Sequence, residues 1–275
     1  MSDTVRLAVG LEYDGSAYAG WQIQAHALSI QSVAESAFSR VADHPITLTC
    51  AGRTDAGVHA LGQVAHFDTE AARTPRAWAL GATAALPEDV TVQWAAEVPQ
   101  DFHARYSALA RTYRYVIVNR ASRPALERNR VCWVHRELDA ERMANAAAHL
   151  VGEHDFSAFR SAECQARTPT RRVESIEVQR DGERVVIDIR ANAFLHHMVR
   201  NIAGVLIRVG SGEEGPDWAR AVLESRDRRL GAPTAPAAGL YLLAVRYPES
   251  FGLPPGVDKA ATGASFMMPR RAVAT

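Results

Sequence analysis

The stretch Ala51-Gly-Arg-Thr-Asp-Ala-Gly-Val-His-Ala-Leu-Gly-Gln-Val-Ala-His-Phe67 interrupts the alternation of hydrophobic residues on either side of it. Glycines lie just before and just after the polar triplet Arg53-Thr54-Asp55, and a third glycine follows at Gly62. Glycine permits positive φ angles and close backbone approach, so we expect a tight loop that displays an acid and a base. A plain glycine-rich hairpin, with Asp55 bonded to nearby amides, fits the loop equally well. The rest of the chain has to decide between the two.

The residues on both sides of this loop predict an alternation of strands and helices. Ser29 can cap a first helix and Pro75 can open a second one, and alternating or apolar runs indicate the strands. The predicted elements are a strand at 5–11, a helix at 30–41, strands at 46–50 and 64–67, a helix at 75–86 and a strand at 90–94. This β-α-β-β-α-β order is that of a ferredoxin-like unit.

The second half of the chain repeats the order. Asp139 can cap a helix, and Asp181-Gly182 is a strong hairpin signal. The predicted elements are a strand at 112–118, a helix at 139–150, a hairpin of strands at 173–178 and 185–189, helices at 198–209 and 217–225, and a strand at 240–245. The sequence therefore predicts an α+β protein with two halves, 1–104 and 105–248, whose sheets join. Residues 249–275 lack periodicity and predict a flexible tail.

Composition restricts the class of protein. The chain has 275 residues, of which 47% are hydrophobic, so a large core is available and two domains are expected. The N-terminal residues lack the pattern of a signal peptide, and no apolar run approaches the roughly 18 residues of a membrane helix. Three widely spaced cysteines indicate free thiols in a reducing compartment. We therefore expect a soluble, cytoplasmic protein without membrane contact.

The charge is balanced overall but unevenly distributed. The formal net charge is zero, and only one of the 31 basic residues is a lysine. Seven arginines and a single acid, Glu127, occupy residues 105–130. Such a stretch predicts a basic face that could neutralise phosphates. The alternative is an ordinary solvated surface of an arginine-rich protein.

A strand within this stretch carries aromatic residues between its arginines. In Arg111-Thr-Tyr-Arg-Tyr115 the alternation places Tyr113 and Tyr115 on one face, and we expect the arginines on the other. Aromatic and arginine side chains together are typical of platforms on which bases stack. Packing of both tyrosines in the core is the alternative, and it applies most strongly to Tyr115.

The sequence gives little support for a metal site or for a nucleotide cofactor. The pattern Cys132-Trp-Val-His135, followed by His149 and His154, superficially resembles a zinc site, but a second tight ligand pair is missing. The pair His196-His197 likewise stands alone in the sequence. The chain has no dinucleotide fingerprint or phosphate-binding loop. We expect no bound metal and no cofactor.

Taken together, the motifs resemble those of the tRNA pseudouridine synthase A family. The matching segments run in the same order and spacing over about residues 7–247. They are Tyr13-Asp-Gly with Gly20-Trp-Gln, Gly52-Arg-Thr-Asp-Ala-Gly-Val-His-Ala60, Arg111-x-Tyr-x-Tyr115, Gly152-Glu-His-Asp-Phe156, Phe194-Leu-His-His-Met-Val-Arg-Asn-Ile-Ala-Gly204 and Gly239-Leu-Tyr-Leu242.

The resemblance implies a fold and an activity. The fold is that of pseudouridine synthases, with two ferredoxin-like halves around a central cleft. The implied enzyme isomerises uridine to pseudouridine in the anticodon stem-loop of tRNA, at positions 38–40. It works as a homodimer bridged by the RNA and needs no cofactor or metal.

The resemblance also implies roles for five residues. Asp55 matches the catalytic aspartate, Tyr113 the tyrosine that contacts the substrate, and Arg53 an arginine that displaces the target base. Arg200 matches a basic partner of the aspartate, and Leu240 matches a wall of the active site. An ionised carboxylate can act as a nucleophile on sugar or base, or as a base on the sugar, and the sequence does not choose among these.

Two other functions stay open at this point. A non-catalytic RNA-binding module could use the same basic groove. A small-molecule enzyme could use Asp55 as a nucleophile.

Overall fold

The computed structural model of the protein describes residues 4–254. The strands are β1 (Val5–Tyr13), β2 (Thr49–Cys50), β3 (His59–Thr69), β4 (Val90–Val98), β5 (Ala110–Asn119), β6 (Cys132–Val134), β7 (Gly152–Asp155), β8 (Thr170–Asp181), β9 (Arg184–Ala191) and β10 (Leu240–Arg246). The α-helices are α1 (Ile30–Ala42), α2 (Pro75–Ala85), α3 (Ala140–Ala148), α4 (Met198–Gly210) and α5 (Trp218–Ser225).

A single sheet runs through both halves of the chain. Its main path is β4-β1-β3-β10-β5-β9-β8-β7, while β2 pairs with β3 and β6 pairs with β5. The first half contributes β1 to β4, and the corresponding strands of the second half are β5, β8, β9 and β10. Numbered from one to four in each half, both sets have the ferredoxin-like order 4-1-3-2, which confirms the predicted duplication. The strand β10 joins the halves because it runs parallel to β3 and antiparallel to β5. The division at residue 104 stays a prediction.

The predicted helix starts and hairpin are confirmed in detail. The Ser29 side chain accepts from the Ser32 amide at 3.2 Å, and Asp139 accepts from two amides at the start of α3. Pro75 is the first residue of α2. Gly182 turns the β8–β9 hairpin with a φ of 55°. Local capping and turn chemistry thus decide these positions.

The strand β2 is shorter than predicted because α1 takes over part of its backbone bonding. The Glu35 side chain accepts from the Leu48 amide, and the Ser39 hydroxyl accepts from the Ile46 amide, both at 2.8 Å. These amides are therefore unavailable to a sheet partner. The short strands β6 and β7 were not predicted, and they are held by their pairing with β5 and β8.

The predicted flexible tail is wrong for its first residues. Residues 249–251 form a 3₁₀ turn, and the Phe251 ring packs edge-on against the buried Phe102 at a centroid distance of 5.1 Å. Leu253 also packs against the core. The remaining part of the predicted tail, 255–275, lies outside the described residues.

The two faces of the sheet differ. The main core, which includes Tyr113 and Tyr115 of β5, lies on the helix-covered face, and a small cluster around Tyr241 lies on the other. In the β5–β10 register Leu240 is opposite Tyr115 and Leu242 is opposite Tyr113. Across the range 4–254, none of the helices has the length and apolar character needed to cross a membrane.

Candidate active site

The loop between β2 and β3, residues 51–58, is held by the segment that follows β1. The Trp21 amide donates to the Thr54 carbonyl at 2.9 Å, and the Gly57 amide donates to the Tyr18 carbonyl at 3.3 Å. Gly20 lies against the loop with a φ of 90°, and a Cβ there would come within 2.5 Å of the Thr54 oxygen. Glycine at position 20 is therefore a steric requirement of the loop.

Buried polar side chains hold the loop from below. The Tyr13 hydroxyl lies 2.9 Å from the Thr54 hydroxyl, and the Gln63 amide group donates to the Gly52 carbonyl at 2.7 Å. The Arg111 guanidinium donates to the Ala51 carbonyl at 3.0 Å. These bonds come from three different strands, so tertiary contacts set the loop's shape. This arrangement decides against a self-contained hairpin.

Asp55 is presented by this loop to the start of α4. Its Oδ2 accepts a hydrogen bond from Arg200 Nη1 at 3.1 Å, and Arg200 Nε donates to the Ala235 carbonyl at 2.8 Å. The Asp55 side chain is 24% exposed and that of Arg200 is 16% exposed. The carboxylate is therefore oriented by a guanidinium that is itself anchored, and it keeps access to solvent.

The histidines of the 196–197 pair lie on the same carboxylate, which corrects the expectation that they stand alone. His196 Nε2 is 3.3 Å from Asp55 Oδ1, and His197 Nε2 is 3.3 Å from Asp55 Oδ2. His197 caps α4 with a φ of 63°, a backbone conformation rare for a non-glycine residue. Burial lowers the pKa of His197, although Asp55 opposes this effect. Nothing in the sequence pattern signals this contact, because it depends on where α4 begins.

The side chains around the Asp55 carboxylate also lie close enough together to hold a metal ion. Asp55, His196 and His197 form the one three-ligand group found among residues 4–254, with ligand atoms within 4.8 Å of one another. Arg200 already supplies a positive charge to the carboxylate. The expectation of no bound metal stays a prediction.

The zinc-like pattern of the sequence does not assemble. The Cys132 thiol is buried next to Tyr115, and burial raises its pKa. His149 pairs with Asp217 at 3.3 Å, and His154 Nε2 bonds the Val151 carbonyl. These side chains therefore have separate local partners.

Tyr113 lies beside the loop. Its ring packs edge-on against Phe194 at a centroid distance of 5.0 Å, and its hydroxyl would lie 3.5 Å from a Cβ placed on Gly52. Burial, with the added effect of Asp55, raises the pKa of the Tyr113 hydroxyl well above its usual range. The hydroxyl therefore stays protonated at neutral pH and is suited to donating a hydrogen bond.

The tyrosine platform predicted on β5 is wrong for Tyr115 and stays a prediction for Tyr113. Tyr115 is fully buried, and its hydroxyl donates to the Pro236 carbonyl at 2.8 Å. Arg111 lies on the same face as Tyr113, contrary to expectation, because residues two apart in a strand share a face, and its guanidinium reaches the loop. Core packing, the alternative for Tyr115, is confirmed.

The predicted basic face is wrong for Arg111 and Arg114, which are buried, and stays a prediction for the other five arginines of 105–130. Arg111 donates to four backbone carbonyls, and Arg114 forms a bidentate pair with Asp188 at 2.7–2.8 Å. Arg120 pairs with Glu183 and Arg130 pairs with Asp14. These four arginines therefore bond to other parts of the chain. The acids that pair with three of them lie far away in the sequence.

The last two predicted site residues differ in exposure. Leu240 is buried at the start of β10, on the same face of the sheet as Tyr113 and Tyr115. Arg53 is exposed, and no residue of the described chain forms a hydrogen bond or ion pair with its guanidinium.

Comparison with known proteins identifies the family. A family model described as tRNA pseudouridine synthase matches residues 11–107 and 146–248. The chain is 59% identical over 249 residues to tRNA pseudouridine synthase A of Methylococcus capsulatus, covering 90% of this chain and 92% of the relative. Identity is 56% to the Coxiella burnetii protein of that name (90% and 95% covered) and 54% to that of Alcanivorax borkumensis (90% and 94%). A chain in the crystal structure of a Cbf5-Nop10-Gar1 complex is 12% identical, with a TM-score of 0.37 and 73% of this chain and 45% of that one covered.

These comparisons place the chain in a class of isomerases that act on the uridines of tRNA. The chain belongs to the tRNA pseudouridine synthase family, and it is an enzyme that isomerises uridine to pseudouridine in tRNA.

Proposed function

We propose that the enzyme modifies uridines of the anticodon stem-loop, at tRNA positions 38–40, with Asp55 as its catalytic carboxylate. The observation that carries this assignment is the contact of Asp55 with Arg200 at 3.1 Å, in a loop held by residues of β1, β3, β5 and the segment after β1. The position within tRNA rests on the family resemblance of the motifs.

The reaction is balanced without an oxidant or reductant. The N1–C1′ bond breaks, a C5–C1′ bond forms, one proton leaves C5 and one proton is taken up at N1. Asp55 acts at the sugar or the base in its ionised form, either as a nucleophile or as a base. Arg200 holds the carboxylate in place and balances its charge.

The target nucleotide has to leave its stack before it can react. Arg53 is suited to occupy the vacated space, because its guanidinium is exposed and lies two residues before Asp55. Tyr113 of β5 and Leu240 of β10 come from adjacent strands and lie on the same face of the sheet, where they would bound a pocket for the extruded base. The protonated Tyr113 hydroxyl can donate a hydrogen bond to that base.

The remaining features of the proposal follow the resemblance. The enzyme acts in the cytoplasm as a homodimer, the RNA contacts both subunits, and neither metal nor cofactor takes part. The halves 1–104 and 105–248 form the two sides of the cleft.

Release of tritium from C5-labelled, unmodified tRNA tests the function and the role of Asp55 together. We expect release by the unaltered enzyme and a loss of at least about 1,000-fold in Asp55→Asn, because the reacting group is removed while the fold is kept. RNA affinity should change little. Asp181→Asn, in the distant β8–β9 turn, is the matched control and should retain full activity.

The outcomes separate the alternatives. Equal release by Asp55→Asn would refute the catalytic assignment, and binding without release by the unaltered enzyme would favour an RNA-binding module. A stem-loop with cytidine at positions 38–40 should release no tritium; release from it would refute the proposed positions.

A further inference from the structure

We propose that Tyr106, in the segment between β4 and β5, is a platform on which a base flanking the target uridine stacks. This inference rests on the proposed function, since it assigns a second contact with the same RNA. The observations concern the segment 102–108, which we call the platform loop.

The aromatic side chain at the tip of the platform loop faces solvent. Tyr106 is 76% exposed, the highest value among the large aromatic side chains described. One side of its ring packs on the His103 ring, with centroids 4.3 Å apart and planes 35° apart. The Arg105 guanidinium lies 5.6 Å from the ring centre. A tyrosine supported in this way can present ring surface to a ligand.

The platform loop is locked in this shape. His103 Nδ1 accepts hydrogen bonds from the amides of Arg105 and Tyr106 at 3.1 and 3.2 Å, and the Ser107 hydroxyl accepts from the His103 amide at 3.0 Å. Burial lowers the pKa of His103, so the ring is neutral and can accept at neutral pH. An exposed tyrosine would otherwise be free to move, and here its backbone is ordered in advance.

The platform loop is also anchored to the core through the backbone amide and carbonyl of Ala104. The Ala104 amide donates to His66 Nδ1 at 3.2 Å, and its carbonyl accepts from the Tyr247 hydroxyl at 2.6 Å. Phe102 is completely buried. The loop is therefore a fixed part of the fold, and the exposure of Tyr106 is not the result of a loose segment.

The Arg111 side chain links the platform loop to the loop 51–58 that carries Asp55, which we call the catalytic loop. Arg111 Nη2 donates to the Arg105 carbonyl at 2.5 Å and to the Ala51 carbonyl at 3.0 Å. The backbones of the two loops thus share a single donor, and Ala51 is only four residues before Asp55. The shared guanidinium thus places the backbone of Arg105, next to Tyr106, beside the start of the loop that carries Asp55.

The chemistry of the platform fits a nucleobase. Stacking on an exposed aromatic ring contributes to binding without regard to base identity, and a neighbouring arginine can pair with phosphate. The side chain of Arg105 is exposed and lies over the Tyr106 ring, while its backbone amide and carbonyl bond His103 and Arg111. The stacking surface predicted for the β5 tyrosines is thus supplied by a residue outside that strand.

A stem-loop RNA with 2-aminopurine next to the target uridine tests the proposal. In the Asp55→Asn background, which holds the complex without turnover, binding should place the fluorescent base on Tyr106 and quench it. Tyr106→Ala should remove this quenching and weaken RNA affinity about 5- to 150-fold, the range expected for one stacked base. Tyr106→Phe should keep both, because it keeps the ring. Leu126→Ala, at a side chain 95% exposed elsewhere, is the control and should change neither.

The outcomes distinguish this inference from the proposed function. If the unaltered enzyme releases tritium but Tyr106→Ala binds and quenches normally, the platform is refuted and the function stands. If Tyr106→Ala changes only the oligomeric state, Tyr106 contacts a second copy of the chain and the platform is refuted as well. If the unaltered enzyme neither binds RNA nor releases tritium, both fail.

Discussion

Two connections occupy the same topological place in the two halves and differ in what shapes them. In the C-terminal half, β8 and β9 are joined by a turn centred on Gly182, whose φ of 55° lies in the left-handed region. A Cβ at Gly182 would have nothing within 4 Å. In the N-terminal half, β2 and β3 are joined by the eight-residue catalytic loop, which is bonded to residues from β1, β3, β5 and the segment after β1.

The difference shows which contacts set the shape of each connection. The turn needs only residues that tolerate its backbone angles, so its shape is local. The catalytic loop needs an exact fit to distant backbone, as at Gly20, and polar partners buried beneath it. Substitution of glycine by alanine at the two places should therefore have very different consequences.

Gly20→Ala should have the largest effect. The positive φ costs about 1–2 kcal/mol, and the added Cβ also meets the Thr54 carbonyl at 2.5 Å, so the loop has to shift. We expect a lower free energy of unfolding in urea and at least about a 100-fold loss of kcat, because Asp55 moves with the loop. Gly20→Asn should not rescue activity, since the steric conflict remains. Normal kcat in Gly20→Ala would show that this contact does not position Asp55.

Tyr13→Phe should have an intermediate effect. It removes the hydroxyl that bonds Thr54 and accepts from Gln63, at a cost of about 1–2 kcal/mol in unfolding free energy. We expect a several-fold lower kcat with little change in KM. Tyr241→Phe, which removes a buried hydroxyl bond to Arg130 on the opposite face, is the matched control. It should lower stability without lowering kcat, and equal losses of kcat in both variants would contradict a specific role for the Tyr13 contact.

Gly182→Ala should have the smallest effect on function. The left-handed φ costs about 1 kcal/mol of unfolding free energy, and no neighbour obstructs the methyl group. Tritium release should be unchanged. Gly182→Asn should recover most of the lost stability, since asparagine tolerates this conformation. A loss of activity here would show that the two connections are coupled and would weaken the comparison.

The same contrast explains which sequence predictions succeeded. The helix caps and the hairpin at Gly182 depend on residues within a few positions of one another, and all of them were confirmed. The arginines at 111 and 114 looked like a basic surface, but their partners are carbonyls and an aspartate from distant segments. The contact of the histidine pair with Asp55 joins α4 to the catalytic loop across more than 140 residues, so no local pattern could indicate it. Tyr106 is exposed because of how its loop is anchored, which the sequence does not reveal.

The sequence by itself determined the order of strands and helices, their caps and turns, the duplicated α+β class, and, through its motifs, the resemblance to the family that the comparisons confirmed. Hydrophobic period and local capping act over a few residues and can be read from the chain directly. Only the tertiary structure decided what surrounds Asp55, which arginines are engaged and which aromatic ring is exposed. The physical reason is that each of these depends on where a side chain or backbone group finds a partner far away in the sequence, and such a partner is in place only once the strands have assembled into the sheet.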